Sequence, residues 1–196
     1  MSAPTPTILF DQKEIQTRVV RIAKRISSWF RKKNKKTLNL ISVLEGARPF
    51  TKDLVRALKR SMPGIRIKIH ETQVSGTKGT ALLKTRQWKR RTLDEKTLRQ
   101  FPVLIVDDLV DSGLTMETLR KEIIKLDAPE VKTAVFIQKY KTYKGPLDFC
   151  AIDLGLKKGD LAKKGLKDYW LYGYGMDLDG KHRGLKEIHW IPIRDI

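Results

Sequence analysis

Residues 103–116 of this 196-residue chain have the sequence VLIVDDLVDSGLTM. The apolar run Val103–Val106 predicts a short buried strand, and a helix is expected from about Thr115 to Leu126. Between them lie two adjacent acids, a third acid and a Ser-Gly turn. Because ligands in an open α/β sheet bind beyond the carboxyl ends of the strands, Asp107 and Asp108 are expected to face a ligand.

Strands and helices alternate on both sides of this stretch. Strands are predicted at 38–44, 65–70, 103–106 and 131–137, and helices at 48–60 and 115–126. A further helix is expected after Asp11, because Glu14 completes a capping-box pattern. This order predicts an α/β fold with a parallel, doubly wound sheet. The segment 72–91 has little periodicity and is predicted to be a long loop.

The chain shows no internal repeat and no low-complexity linker, so one domain is predicted over 1–196. The alternation covers a core of about 36–140. The last fifty residues do not continue it, and their short strands and Gly turns suggest a smaller lobe. This lobe is expected from the N-terminal segment together with about 141–196.

The amino-acid composition indicates the cellular compartment and the class of ligand. Forty-one Lys and Arg against 22 Asp and Glu give a net charge of +19, which favours polyanions such as nucleic acid, acidic membrane or phosphorylated small molecules. The basic clusters lie at 31–36, 84–91 and 157–167; each alone is typical of a solvated face. With one cysteine, no signal peptide and no apolar run of about 20 residues, a cytoplasmic protein is expected.

The turn after the buried strand has the chemistry of a sugar-phosphate site. Exposed N–H groups at a helix start favour an anion, and Ser112 and Thr115 add hydroxyl donors. Gly113 allows close approach of the backbone to a ligand. Three acids beside this anion cradle suit a phosphorylated sugar, because carboxylates accept hydrogen bonds from its hydroxyls and help to hold Mg²⁺. A strand end whose acids only cap the next helix would need one acid.

VLIVDDLVDSGLTM resembles the phosphoribosyl diphosphate (PRPP) signature of the type I phosphoribosyltransferases. Most of the chain also resembles the hypoxanthine-guanine (6-oxopurine) branch of that family. The segments that carry this likeness are DQKEIQTRVVRIAKRIS, LNLISVLEGARPFTKDLVRAL, AVFIQKY, DFCAIDLG and WLYGYGMDLDGKHRGLKEIHWIPI. The resemblance implies the family's core sheet with a small hood subdomain, which corresponds to the smaller lobe.

The resemblance implies roles for residues in the PRPP half of the site. Asp107 and Asp108 would bind the ribose hydroxyls and take part in the metal site. The 5′-phosphate would be held by Asp111, Ser112, Gly113, Leu114 and Thr115. Asp111 would also lie near the purine N7 as the catalytic general base or acid.

The resemblance also implies base-binding and diphosphate-binding residues. Lys139 would donate to the 6-oxo group, Trp170 would stack on the base, and the backbone of Leu171 would contact the exocyclic position. Asp177 would be a metal-site carboxylate and Arg183 a diphosphate ligand. The diphosphate loop would contain Glu45 and Gly46.

The implied activity is transfer of the 5-phosphoribosyl group from PRPP to N9 of hypoxanthine or guanine, with release of diphosphate, in purine salvage. Mg²⁺ is the implied cofactor, PRPP and a purine base are the substrates, and a homo-oligomer (dimer or tetramer) is expected. Three features depart from the branch. Glu45 stands where Lys or a small group is common, Ser75 has no Tyr beside it, and 156–167 resembles an insertion.

Two alternatives follow from these departures and from the charge. The first is a regulator of the same fold that binds RNA or DNA and senses PRPP. The second is a phosphoribosyltransferase for another base, such as xanthine or a pyrimidine, because the insertion adjoins the base-recognition segment. A generic nucleotide-binding protein is excluded by the lack of a GxxxxGK[ST] loop and of GxGxxG after a strand.

Overall fold

The larger of two sheets has six strands in the order β4-β3-β2-β5-β6-β7. It is seen in a computed structural model that describes residues 7–76, 86–90, 93–140, 143, 145–156 and 168–193. Its strands are β2 (Thr37–Val43), β3 (Arg66–Gly76), β4 (Arg86–Arg90), β5 (Val103–Val110), β6 (Val131–Tyr140) and β7 (Phe149–Leu156). Five of them are parallel and β4 is antiparallel to β3. The predicted α/β class with a parallel sheet is therefore confirmed.

Four helices accompany this sheet: α1 (Gln12–Arg31), α2 (Arg48–Ser61), α3 (Glu95–Gln100) and α4 (Leu114–Lys125). The predicted capping box of α1 is confirmed, since Asp11 Oδ1 accepts from Glu14 N at 2.8 Å and Glu14 Oε2 accepts from Asp11 N at 3.0 Å. Among the residues described, no helix is long and apolar enough to span a membrane.

The central strand β2 explains why the sheet is covered on both faces. Each of its seven residues is buried, as expected of a parallel strand between two helical layers. Leu38 and Leu40 pack in the cluster that contains the apolar faces of α1 and α2. Ile41 and Val43 pack in the cluster that contains those of α3 and α4. The two layers fix the ends of the strands where the polar residues lie.

A second sheet joins the two ends of the chain. Its three antiparallel strands are β1 (Thr7–Phe10), β9 (Ile188–Ile193) and β8 (Asp168–Tyr172). Tyr174 connects it to the core, because its ring lies 5.1 Å from that of Phe136 on β6. The division into a core of about 36–140 and a hood stays a prediction; β7, which follows residue 140, belongs to the larger sheet.

The prediction of one long loop over 72–91 was wrong for part of that segment. β3 continues to Gly76, and Thr72–Gly76 pairs with Arg86–Arg90 of β4. The mixed Ser, Thr and Lys composition hid this pairing, because an antiparallel edge pair needs little burial. The helix α3 was also not predicted. Residues 77–85, and residues 157–167 of the insertion predicted at 156–167, lie outside the described part of the chain.

Candidate active site

A cavity of about 340 Å³ opens at the carboxyl ends of β2, β5 and β6. The predicted site residues in its wall are Glu45, Gly46, Asp107, Asp108, Asp111, Thr115, Lys139, Trp170, Leu171, Asp177 and Arg183. Of the described residues in the turn before α4, Ser112, Gly113 and Leu114 lie between Asp111 and Thr115 and outside that wall. Residues far apart in the chain therefore share one concave surface, the usual form of a small-molecule site.

The acid pair lies near the end of β5. Asp107 is buried, and its Oδ1 accepts a hydrogen bond from the backbone N–H of Asp108 at 3.0 Å. Burial raises the pKa of the Asp108 carboxyl above its ordinary value, while its hydrogen bond with Asp107 and the nearby Arg183 charge act to lower it. Asp108 also lies against Gly46, where any Cβ would overlap its carboxylate. The site therefore has no room for a side chain at position 46.

Gly113 forms the turn from β5 into α4. Its φ of +77° lies in the left-handed region, and a Cβ there would overlap the ring of Tyr143. α4 begins at the next residue, so the first backbone N–H groups of the helix lie beside Asp111 and Thr115 in the cavity wall. Ser112 is exposed, and its Oγ lies 3.5 Å from Leu114 N. This arrangement can bind an anion at the helix start.

The loop after β2 carries the acid that departs from the family pattern. The Leu44–Glu45 peptide bond is cis. Glu45 Oε2 forms an ion pair with Arg48 Nη1 at 2.9 Å, and Arg48 Nε lies 3.4 Å from Glu71 Oε1. Arg48 therefore offsets part of the negative charge that Glu45 places at the cavity.

Asp177 and Arg183 form an ion pair across the cavity mouth. Arg183 Nη2 lies 2.6 Å from Asp177 Oδ1, and its Nη1 donates to the carbonyl of Gly175 at 2.8 Å. The other oxygen of Asp177 accepts from Gly180 N at 2.8 Å. Trp170 Nε1 donates to the backbone carbonyl of Asp177 at 2.6 Å, and its ring is nearly half exposed. These contacts orient a cation, a carboxylate and an aromatic face before any ligand binds.

Lys139 is the buried cation of the site. Its Nζ donates to the carbonyl of Tyr169 at 2.7 Å and forms an ion pair with Asp168 Oδ1 at 2.8 Å. The Tyr140 hydroxyl donates to the same carboxylate oxygen. Burial acts to raise the pKa of Asp168, but the hydrogen bonds from Lys139 and Tyr140 outweigh it and lower the pKa. Asp168 therefore stays ionised beside Lys139.

Comparison with known proteins agrees with this geometry. Residues 11–155 match the sequence profile of the phosphoribosyl transferase domain. The chain belongs to the phosphoribosyltransferase family. It is 29% identical to the hypoxanthine-guanine phosphoribosyltransferase of Aquifex aeolicus over 188 residues, which cover 94% of this chain and 93% of that protein. The corresponding protein of Dictyostelium discoideum is 26% identical over 184 residues, 91% of each chain.

A solved structure extends the likeness to the fold. The hypoxanthine phosphoribosyl transferase of Trypanosoma cruzi superposes with a TM-score of 0.79 at 28% identity and covers 99% of this chain and 93% of its own. The resemblance to the hypoxanthine-guanine branch is therefore confirmed, and so is the prediction that the chain is a phosphoribosyltransferase.

Several residues in this phosphoribosyltransferase site were not found from the sequence. Val43, Leu44, Val74, Leu109 and Met176 complete the cavity wall. They are apolar residues at strand ends or in loops, and no local pattern separates such residues from the core. Pairing in the larger sheet brings most of them to the cavity.

Two polar partners were also missed. Asp168 and Tyr140 flank the predicted residues Trp170 and Lys139, yet the pairing of Lys139 with Asp168 depends on contact between two sheets. In the sequence, Asp168 is only an acid next to aromatic residues, and that pattern does not indicate that it pairs with Lys139.

Proposed function

We propose that this phosphoribosyltransferase transfers the 5-phosphoribosyl group from PRPP to N9 of a 6-oxopurine, hypoxanthine or guanine, and releases diphosphate in purine salvage. The observation that carries the proposal is the single cavity that contains acids for a sugar, a helix start for a phosphate and a buried lysine beside an aromatic face. The names of the relatives support the same substrates.

PRPP would lie along the carboxyl ends of β2 and β5. Asp107 and Asp108 would accept hydrogen bonds from the ribose hydroxyls. The turn Asp111–Thr115 would hold the 5′-phosphate with backbone N–H groups and hydroxyl donors, as the start of α4 favours an anion. Arg183 would leave Asp177 to bind the diphosphate, where its planar guanidinium suits phosphate oxygens.

Mg²⁺ would be held by Asp107, Asp108 and Asp177 together with oxygens of PRPP. Among the described residues, no group of three His, Cys, Asp or Glu side chains is placed to hold a metal alone. Mg²⁺ commonly binds one or two carboxylates plus substrate phosphates and water, so oxygens of PRPP would complete its coordination. When bound, the ion would supply positive charge to the diphosphate as it leaves.

The base would lie between Trp170 and the end of β6. The ammonium of Lys139 has three N–H donors and no acceptor, and Asp168 and Tyr169 take two of them. The third can donate to a 6-oxo group. The 6-amino group of adenine would instead place a donor against a donor, so Lys139 favours a 6-oxopurine.

The reaction forms the bond from N9 to C1 of the ribose and breaks the bond from C1 to the diphosphate oxygen, which leaves with the electron pair. The Asp111 carboxylate would accept the proton that the purine ring loses. Such proton transfer from a positioned side chain typically contributes about 10²- to 10⁴-fold to the rate. Arg48, which pairs with both Glu45 and Glu71, would offset part of the negative charge at the diphosphate loop.

We also propose that the protein is a cytoplasmic homo-oligomer, a dimer or a tetramer. In the Trypanosoma cruzi relative, the C-terminal region has a role in the oligomeric state. Among the described residues, four large apolar side chains outside the cavity (Ile8, Val20, Ile69 and Ile124) are about half exposed, which is consistent with burial between subunits.

The proposed function is tested by measuring diphosphate release from PRPP with Mg²⁺ and one base at a time: hypoxanthine, guanine, xanthine, adenine or uracil. Release that requires hypoxanthine or guanine is expected, with at least about 100-fold lower kcat/KM for adenine. Turnover with xanthine or uracil alone would favour a different acceptor. If PRPP bound but no base caused release of diphosphate, the proposed enzymatic activity would be contradicted.

Replacing Asp168 by Asn tests its role as a positioning residue for Lys139. The variant loses the charge that holds Nζ in place, and a hydrogen bond to a charged group is worth about 1.5–3 kcal/mol. The KM for hypoxanthine is expected to rise about tenfold, while the KM for PRPP stays within about twofold.

Asp168→Glu should restore part of the affinity for the base, and Asp127→Asn, on an exposed turn, should have no effect. If Asp168 had only a structural role, its replacement would lower kcat, and it would lower kcat/KM for hypoxanthine and for PRPP to the same extent. Equal loss of PRPP and base affinity would therefore contradict the positioning role.

A further inference from the structure

One stretch of the chain carries positive charge that the proposed reaction does not use. Between Glu14 and Glu45 the sequence has nine Lys or Arg residues and no Asp or Glu. The run RKKNKK at 31–36 is its densest part. Like charges so close together repel one another in the folded protein, so folding does not require them.

The fold extends this run into a larger cluster. α1 and α2 pack side by side, and Arg31 Nη2 at the end of α1 donates to the carbonyl of Ser61 at the end of α2, at 2.5 Å. The backbone N–H of Arg66 donates to the carbonyl of Lys36 at 2.8 Å, which brings the start of β3 to the same place. The basic corner is defined by seven exposed residues: Arg31, Lys32, Lys35, Lys36, Lys59, Arg60 and Arg66.

The described carboxylates do not pair with the cations of the basic corner. In the part of the chain that the structure describes, none of the seven forms an ion pair with a carboxylate. Other lysines do so: Lys33 pairs with Glu130 at 2.8 Å, and Lys121 pairs with Glu117 at 2.7 Å. The corner therefore presents a concentrated positive field to solvent.

The basic corner is too far from the cavity to serve PRPP. It lies at the amino ends of β2 and β3, whereas the cavity lies at the carboxyl end of β2. Six residue steps along β2, from Thr37 to Val43, span about 20 Å. The Debye length at physiological ionic strength is about 8 Å, so these charges are largely screened from the diphosphate. Their ligand must bind at the corner itself.

We propose that the basic corner binds the phosphodiester backbone of a nucleic acid, as a second function separate from catalysis. The ten residue steps from Arg21 to Arg31 rise about 15 Å along α1, and a duplex carries about nine phosphate charges over that length. A row of regularly spaced phosphates therefore offers several anions at once to the seven cations of the basic corner.

An anionic membrane fits this surface less well. Peripheral membrane segments combine cations with an apolar face that enters the acyl boundary. Among the described residues, the most exposed large apolar side chains are Ile8, Val20, Ile69, Ile124 and Trp170, and none lies within 31–36 or 59–66. A polar phosphate backbone requires no such face.

The test measures binding of a fluorescent 30-nucleotide RNA and a 30-base-pair DNA to the full chain across a range of KCl concentrations. The corner variant carries Lys32→Gln, Lys35→Gln, Lys36→Gln and Arg60→Gln. The control variant carries Lys13→Gln, Lys96→Gln, Lys121→Gln and Lys125→Gln, which are exposed and lie outside the corner. Both variants lose four charges and have a net charge of +15, from +19 − 4.

The corner variant is expected to bind about 100- to 1000-fold more weakly at 0.15 M KCl, and its slope of log K against log [salt] should fall by about 3. The control should lose less than about threefold in affinity. Diphosphate release should be unchanged in both variants, which separates this proposal from the proposed function. Preference for RNA or for DNA would identify the natural backbone.

Three outcomes would overturn the proposal. One is a dissociation constant weaker than about 100 µM for both nucleic acids at 0.15 M KCl, outside the usual range of non-specific binding. Another is equal weakening in the corner and control variants, which would indicate attraction by net charge alone. The third is binding to vesicles containing anionic phosphatidylserine without binding to RNA or DNA.

Discussion

Asp111→Asn is expected to lower kcat for diphosphate release by about 100-fold or more with hypoxanthine or guanine. Asp111 lies at the turn from β5 into α4, in the same cavity wall as Thr115 and as Lys139, the residue proposed to bind the base. Asn has the same shape and keeps an acceptor oxygen, but it cannot take a proton from the purine ring. The loss should therefore fall on kcat, while the KM for PRPP changes less than about threefold.

The control for Asp111→Asn is Asp127→Asn, the same chemical change on an exposed turn after α4. Single-turnover assays at saturating PRPP separate chemistry from product release. The pH–rate profile gives a second measure. The rise in rate with pH that reports deprotonation of the general base should disappear in the Asp111 variant. Retention of more than about a third of wild-type kcat would contradict the assigned role.

Local sequence was enough to predict one half of the site. Asp107, Asp108 and the turn to Thr115 lie within one strand and the start of one helix, so their relative placement depends on nearby residues. The apolar run before them identifies a buried parallel strand, and a strand end in such a sheet faces a ligand. The positions of Asp107, Asp108, Asp111 and Thr115 in the cavity wall agree with this reasoning, and their roles in binding stay predictions.

The other half depends on contacts that short-range patterns do not contain. Lys139 alone is only a lysine in a buried strand, and Trp170 alone is only an aromatic residue in a short strand. Their shared cavity arises because the sheet β1-β9-β8 packs against the end of the larger sheet. The family resemblance supplied these residues, while the partner Asp168 was found only in the structure.

The edge of the larger sheet shows a different limit of prediction from sequence. β4 pairs with β3 through Thr72–Gly76, in a segment with few apolar residues. An edge pair is stabilised largely by backbone hydrogen bonds, which depend weakly on side-chain type. A loop was predicted there because the segment lacks the alternation of apolar and polar residues that a strand often shows.

Asp108→Asn is expected to weaken PRPP binding about 10- to 100-fold and, at neutral pH, to raise Tm by about 3 °C. The loss of affinity would follow from the proposed roles of Asp108, because its charge-assisted hydrogen bonds to the ribose hydroxyls would become weaker neutral ones and the proposed metal site would lose a carboxylate. The gain in Tm follows from burial, which raises the pKa of Asp108 and so makes its charged form costly in the folded state. An amide in its place has no charge to bury, and can donate to Asp107.

The pH dependence of this difference has a definite sign. The folded-state pKa of Asp108 lies above its ordinary value of 3.8, so the folded protein binds this proton more tightly than the unfolded chain does. The stabilising effect of the proton is complete below the unfolded pKa and is lost as pH rises through the folded pKa. Wild type and Asp108→Asn should therefore differ in Tm at pH 7 and converge as the pH falls toward 4.

Calorimetric scans between pH 4 and pH 8 and titration with PRPP and Mg²⁺ test both effects in the same samples. Asp127→Asn again serves as the exposed control, and it should change neither quantity. A variant that lost affinity and also lost stability at pH 7 would show that Asp108 is held by favourable contacts. Greater stability with weaker binding would mean that the site keeps a partly buried carboxylate at a cost in stability because PRPP requires its charge.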